Sequence, residues 1–340
     1  MREIPEDGCG SWRSNLYVVC AAQFTLMAAV QLIMPFLALF IHDELGLQDM
    51  RQVELWAGAI QSANMLMAAL FSPLWGALAD RYGRKLMVIR ASAAVGLFSM
   101  LAALVRSPAE LLGVRLLMGV FSGFGATCVA LVGTNTPSGQ LGYALGLLSS
   151  SQLAGIVFGP LLGGFLAPAI GYRLTFLLTG FLSLFSCLLV VFFVHENFIP
   201  VTEGERRPLP HQLRQAAAVP GLLAMLAVLL MAQVANASIG PQLSLFVLEL
   251  TGDPERAAAL AGLVFAAAGA GSMLAAPLLG RRADRLGYKP TLGLALGGAA
   301  LLVLPQALVG KVWQLGLLRF LLGVFVGGIL PTANALIGHL

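Results

Sequence analysis

The sequence predicts an all-α, polytopic membrane protein: two related bundles of six helices, with about ten membrane helices present. Three observations predict it, namely the composition, the length of the apolar runs and a repeat of the whole plan. Of the 340 residues, 58% are hydrophobic and only 11% are charged, with a mean hydropathy of +0.87. That balance leaves too little polar surface for a soluble protein of this size. A helix rises about 1.5 Å per residue, so about 20 apolar residues cross a hydrocarbon layer of about 30 Å. The sequence supplies such runs repeatedly. They are continuous rather than alternating, which favours helices over a β-barrel.

Polar interruptions place helices at about 15–41, 54–79, 86–105, 110–133, 141–168 and 173–195, then at 219–249, 257–280, 290–309 and 313–338. Residues 1–14 are polar. The apolar stretch after them is too long for a signal-peptide core and lacks a small-residue cleavage site, so it is the first membrane helix. Arg51 precedes the second helix, and the charged "GALADRYGRK" at 76–85 divides it from the third. Arg106 and Arg173 mark the breaks before the fourth and sixth. The segment "ENFIPVTEGERRPLPHQLRQAAA" at 196–218 is polar, basic and Pro-containing, and reads as a linker whose last part is plain chain or a short interfacial helix. It separates a first bundle, 1–195, from a second, 219–340. There, Arg256 and Lys311 precede the eighth and tenth helices, and "GRRADRLGYK" at 280–289 divides the eighth from the ninth.

Charge sets the orientation. With the N-terminus inside, the inner segments hold thirteen Lys and Arg, Arg90 counted among them, against five in the outer segments. Arg115 and Arg319 lie within spans. The excess places both ends of the chain in the cytoplasm, and it accounts for the net charge of +4 without a nucleic-acid partner. The cysteines show no paired spacing, no Cys/His metal pattern occurs, and no GxxxxGK[ST] loop is present, so neither a metal site nor an ATPase is expected. No nucleophile, base and orienting group converge, which argues against an enzyme.

The charged turn recurs within a longer register. A shift of 204 residues superimposes Gly58 on Gly262, Pro73 on Pro277, Gly76 on Gly280, Asp80 on Asp284, Gly83 on Gly287 and Lys85 on Lys289. Further on, Arg115 meets Arg319 and the "GVF" at 119–121 meets that at 323–325. The chain is a tandem duplication of a membrane module, an organisation found in secondary transporters. On this register the counterparts of helices five and six belong near 345–399, so two helices of the second copy are expected beyond Leu340.

Gly76, Leu78, Ala79, Asp80, Arg81, Gly83, Arg84 and Lys85 form the pattern G-x-L-A-D-R-x-G-R-K between the second and third helices. With the duplicated plan, this resembles the major facilitator superfamily over the whole chain. "GIVFGPLLGG" at 155–164 resembles the G-x-x-x-G-P-x-x-G-G pattern of that family's drug:proton antiporter branch, whose members mostly export. The resemblance implies a bacterial inner-membrane multidrug exporter, acting as a monomer on small amphipathic organic compounds. It would exchange them for protons by alternating access, with the proton gradient as energy source and no cofactor. A facilitator or importer of a small solute, or a truncated membrane fragment that transports nothing, are the alternatives.

The residue types fit such chemistry. Gly83 permits a tight turn, and the Asp80 carboxylate can accept hydrogen bonds from flanking arginines or from a helix N-terminus. The resemblance implies a conformational latch of Gly76, Asp80, Arg81, Gly83, Arg84 and Lys85, repeated as Asp284, Arg285 and Gly287. Gly155, Gly159 and Gly163 recur at four-residue steps, a seam that lets a neighbouring helix approach. Pro160 removes a backbone hydrogen bond inside it, and Gly164 follows. An Arg inside a membrane helix needs a partner or water. The resemblance makes Arg115 an aid to proton transfer, although Met118 stands where the family pattern prefers Gln; a structural tie to carbonyls or to Glu110 is the other reading. Glu54 and Glu110, at outer helix ends, are the candidate proton carriers. Gln31, Gln61, Asn64, Gln152, Gln233, Asn236 and Arg319 read as polar anchors of an apolar cavity or as interhelical hydrogen bonds.

Overall fold

A computed structural model describes residues 11–33, 37–196, 222–223, 226–227, 229–231, 246–247, 249–251 and 254–339. The helices are α1 (Ser11–Ile33), α2 (Met50–Tyr82), α3 (Arg84–Ala102), α4 (Pro108–Val120), α5 (Phe124–Asn135), α6 (Leu141–Ile170), α7 (Tyr172–Phe193), α8 (Pro254–Leu286), α9 (Tyr288–Val303), α10 (Val312–Val326) and α11 (Ile329–His339). Among the described residues, nine stretches are long and apolar enough to cross a membrane. Most of the helix expected at 219–249, with Gln233 and Asn236, lies outside the described residues, as does the linker beyond Glu196.

Two expected spans are not continuous. The fourth is α4 and α5, interrupted at Phe121–Gly123, and the last is α10 and α11, interrupted at Gly327–Gly328. The interruptions overlap in the 204-residue register, which sets Gly123 on Gly327. Hydropathy cannot reveal them, because the interrupting residues are as apolar or small as their neighbours.

Helix ends follow from local chemistry. Ser107 accepts from Glu110 N–H, and Glu110 Oε2 accepts from Arg106 N–H at 2.8 Å. The first bond satisfies an amide that the first turn of α4 leaves free, and the second ties down the amide just before the N-cap. Gly83 sits between α2 and α3 at φ 94°, and Gly287 between α8 and α9 at φ 97°. A side chain resists that conformation, which accounts for glycine at both copies of the charged turn.

Contacts divide the chain into two compact units: Met1–Asn135 with Ala154–Val201, and Thr136–Leu153 with Thr202–Leu340. The boundary runs through α6. In the first unit, α1 is held on one side by hydroxyls of α7: Thr179 donates to Ala29 O at 3.0 Å and Ser186 to Ala22 O at 2.8 Å. Polar donors of this kind substitute for a hydrophobic drive that lipid does not supply. Near the start of α7, Phe40 packs on Phe176 with ring centroids 4.9 Å apart. Arg173 there binds Glu44 and the carbonyls of Ala103 and Val105 at 2.8–3.1 Å, closing off the end of α3.

Candidate functional site: charged turns, a glycine seam and buried arginines

The two charged turns hold their acids differently. Asp284 is half-buried and accepts from Gly142 N at 2.7 Å and Tyr143 N at 2.8 Å, the first amides of α6. Tyr288 Oη donates to the same carboxylate at 3.0 Å, and Arg281 lies over the Tyr143 ring at 4.2 Å. A carboxylate on free amides at a helix N-terminus is the favourable end of both hydrogen bonding and dipole electrostatics. Gly287 N–H donates to Ala283 O at 2.9 Å, and Arg285 is exposed on the last turn of α8. Asp80, its counterpart, is exposed and lies 3.7 Å from Arg84 on the next turn. Arg81 rests over Tyr82, while Gly76 is open, with nothing within 4 Å of where a Cβ would stand. The amides of Arg84 and Lys85 instead reach Glu196, at 3.0 and 2.7 Å, and Lys85 Nζ donates to Val191 O at 2.9 Å. Glu196 therefore caps α3 as Asp284 caps α6. Its role escaped the sequence, since it stands at the edge of what reads as a linker.

The glycine seam of α6 faces α1. A Cβ at Gly155 would lie 2.6 Å from Met27 Cβ and 2.8 Å from Ala28 N. At Gly159 it would meet Gln31 Cβ at 2.6 Å, and at Gly163 it would meet the Leu32 carbonyl. α6 runs on as helix through Pro160 and Gly164. Gln31 is thus placed directly on the seam.

Arg115 is 5% exposed, and among the described residues it forms no ion pair with Glu110, whose carboxylate is engaged in capping. One turn on, Gly119 packs against the backbone of Asn64. Arg115 on α4 and Gln61 on α2 each stand about one turn before this contact along their own helix. Gln61 Oε1 is buried without a hydrogen-bond partner among the described residues. Glu54 lies on α2, its side chain outside the described residues. In the second unit Arg319 is 8% exposed with Nε unpartnered among the described residues, and Gln152 is half-buried.

The sequence profile of the Major Facilitator Superfamily matches residues 19–254 and again 225–340. The chain belongs to this family. It is 37% identical over 333 residues to the "Multidrug resistance protein MdtG" of Salmonella dublin, covering 98% of this chain and 82% of that one. The protein of the same name from Salmonella typhimurium is 36% identical with the same coverage. The crystal structure of the human organic anion transporter MFSD10 (TETRAN) superimposes with a TM-score of 0.77 at 17% identity, covering 96% of this chain and 86% of that one. That likeness supports the fold.

As a major facilitator protein, the chain is a transporter and not an enzyme, and the arrangement suits moving helices rather than chemistry. One intramembrane residue was assigned to the wrong place from sequence. Arg90 was counted with the basic segment at 81–85, but it sits within the α3 span, nearly two turns beyond Arg84. Its Nη2 donates to Ser122 O at 3.1 Å, its guanidinium lies 3.5 Å from the centre of the Trp75 ring, and its Nε and Nη1 are buried without a partner among the described residues.

Proposed function

We propose that this protein exports small amphipathic organic compounds across a bacterial inner membrane, as a monomer, in exchange for protons and by alternating access. The observation that carries the reading is the identity of 37% over 98% of the chain to a multidrug resistance protein. The glycine seam against α1 supports it, because close backbone contact without interlocking side chains lets one helix slide on another. The charged turns act as latches whose carboxylate and glycine are shared by both copies, Asp284 on α6 being the engaged one. Arg115 assists proton transfer, with Glu54 and Glu110 as proton carriers. Gln31, Gln61, Asn64, Gln152, Gln233, Asn236 and Arg319 line the substrate path. Both ends of the chain face the cytoplasm, a reading that the distribution of Lys and Arg supports.

Efflux of a fluorescent amphipathic dye from energised cells expressing the 340-residue chain tests this reading. Export that a protonophore abolishes is the expected result. Efflux indifferent to the protonophore sinks antiport, and no efflux from cells with confirmed membrane expression sinks export. A Glu54→Gln, Glu110→Gln double variant that still exports with unchanged proton dependence removes both acids as carriers.

A further inference from the structure

In an unbroken helix, Val120 O and Ser122 O would accept from the amides of Phe124 and Ala126. At the interruption of the fourth span two side chains take those carbonyls instead. Trp75 Nε1–H donates to Val120 O at 2.6 Å, and Arg90 Nη2–H to Ser122 O at 3.1 Å. The pair is one assembly, since the guanidinium stacks on the indole face, where cation–π attraction is strongest. Phe121 packs on both Trp75 and Phe98, with ring centroids 5.7 and 5.9 Å away. Gly123 stands in the gap at φ 115°, and a Cβ there would meet only the tip of Arg90 within 4 Å. Glycine is the residue that can occupy this conformation and the helical one alike.

The second copy supplies an internal comparison. The 204-residue register places Leu279 opposite Trp75 and Leu294 opposite Arg90, and neither can donate to a carbonyl. Its interruption is milder: Gly327 stays in the helical region at φ −58°. It is also closed by packing, with Gly327 against the Ser272 backbone and Gly328 against the Leu279 side chain. The wide interruption therefore occurs in the copy that has the hydrogen-bonding pair, and the near-helical one in the copy that has leucines. A packed leucine holds one arrangement. Donors that compete with the helix's own amides for the same carbonyls make an element with two arrangements of similar energy.

We propose that Trp75 and Arg90 are a releasable clamp that holds the fourth span broken, and that the span re-forms as a continuous helix at another stage of the transport cycle, redirecting the segment that carries Arg115. Both are positioning residues, acting through the backbone of α4 and α5. The proposal rests on the transport reading for its place in a cycle, but not for the clamp itself.

Hydrogen–deuterium exchange on the purified full chain tests it, read at the amides of 121–127. The variant Trp75→Leu, Arg90→Leu copies the residues with which the second copy folds. Its Phe124 and Ala126 amides gain carbonyl partners, and a net hydrogen bond of about 1 kcal/mol slows their exchange about fivefold. In cells, export turnover falls about tenfold while the dye KM stays within about twofold, the split expected when ground-state binding of the dye is kept. Unchanged or faster exchange overturns the clamp. Should the double variant not accumulate, Trp75→Phe keeps the ring beneath Arg90 and removes only one donor; unchanged exchange in that variant overturns the proposal equally. A wild-type chain that exports nothing sinks the export reading and leaves the exchange result to decide the clamp.

Discussion

Arg115 and Arg90 show what a single charged residue reveals of itself. Arg115 was legible because apolar residues surround it on both sides, and a lone Arg at that depth stands out. Arg90 was not, because a basic turn ends five residues earlier and the positive-inside pattern absorbed it. The reading of Glu110 as a tie for Arg115 overlooked a local signal: "SPAE" at 107–110 is a Ser-x-x-Glu box, and the structure engages both side chains at the helix start, Glu110 reaching the Arg106 amide one residue before the N-cap. For Arg115, buried with no ion pair to Glu110, replacement by Gln keeps size and polarity and removes the charge. Arg115→Gln is expected to insert and accumulate normally while proton-driven export falls about 10²-fold, the lower range of a lost proton-transfer group. Export at the wild-type rate, measured by dye efflux against quantified membrane protein, would make Arg115 structural.

At the scale of elements, the glycine seam was legible and the interruptions were not. Four-residue spacing identifies a seam without structure, because it repeats about once per helical turn. Nothing in hydropathy marks Phe121–Gly123, where the break depends on side chains from α2 and α3. The seam gives a sharp expectation. A Leu at Gly159 must displace the Gln31 and Ala28 backbone region of α1, and such overpacking costs about 1–3 kcal/mol or more. Gly159→Leu should lower the melting temperature of the purified chain and abolish export, whereas Gly133→Ala, where nothing lies within 4 Å, should leave both unchanged. The Asp284 cap makes a second expectation. Asp284→Ala removes a charged acceptor from two amides and a tyrosine hydroxyl, and costs about 1–3 kcal/mol. It should speed amide exchange at Gly142 and Tyr143, which Asp80→Ala, lacking such contacts, should leave untouched.

For the whole molecule, the duplication and the distribution of charge carry different kinds of information. The 204-residue register was readable because glycine, proline and aspartate at tight turns tolerate few replacements. It accounts for the matched turns at Gly83 and Gly287 and the matched interruptions, but not for how each copy fills them. With Arg90 placed in the α3 span, twelve inner Lys and Arg stand against five outer ones; this excess says nothing of packing and bears only on which way the spans run. It predicts that Ser138, exposed after α5, faces the cytoplasm, and that Ala109, exposed at the start of α4, faces outward. In a background with the four natural cysteines replaced, Ala109→Cys should react with a membrane-impermeant maleimide on intact cells, and Ser138→Cys only after permeabilisation. The opposite pattern would reverse the orientation and, with it, the side from which the Asp284 cap and the Trp75–Arg90 clamp are reached. Labelling at both positions on intact cells would show that the fourth span does not cross the membrane.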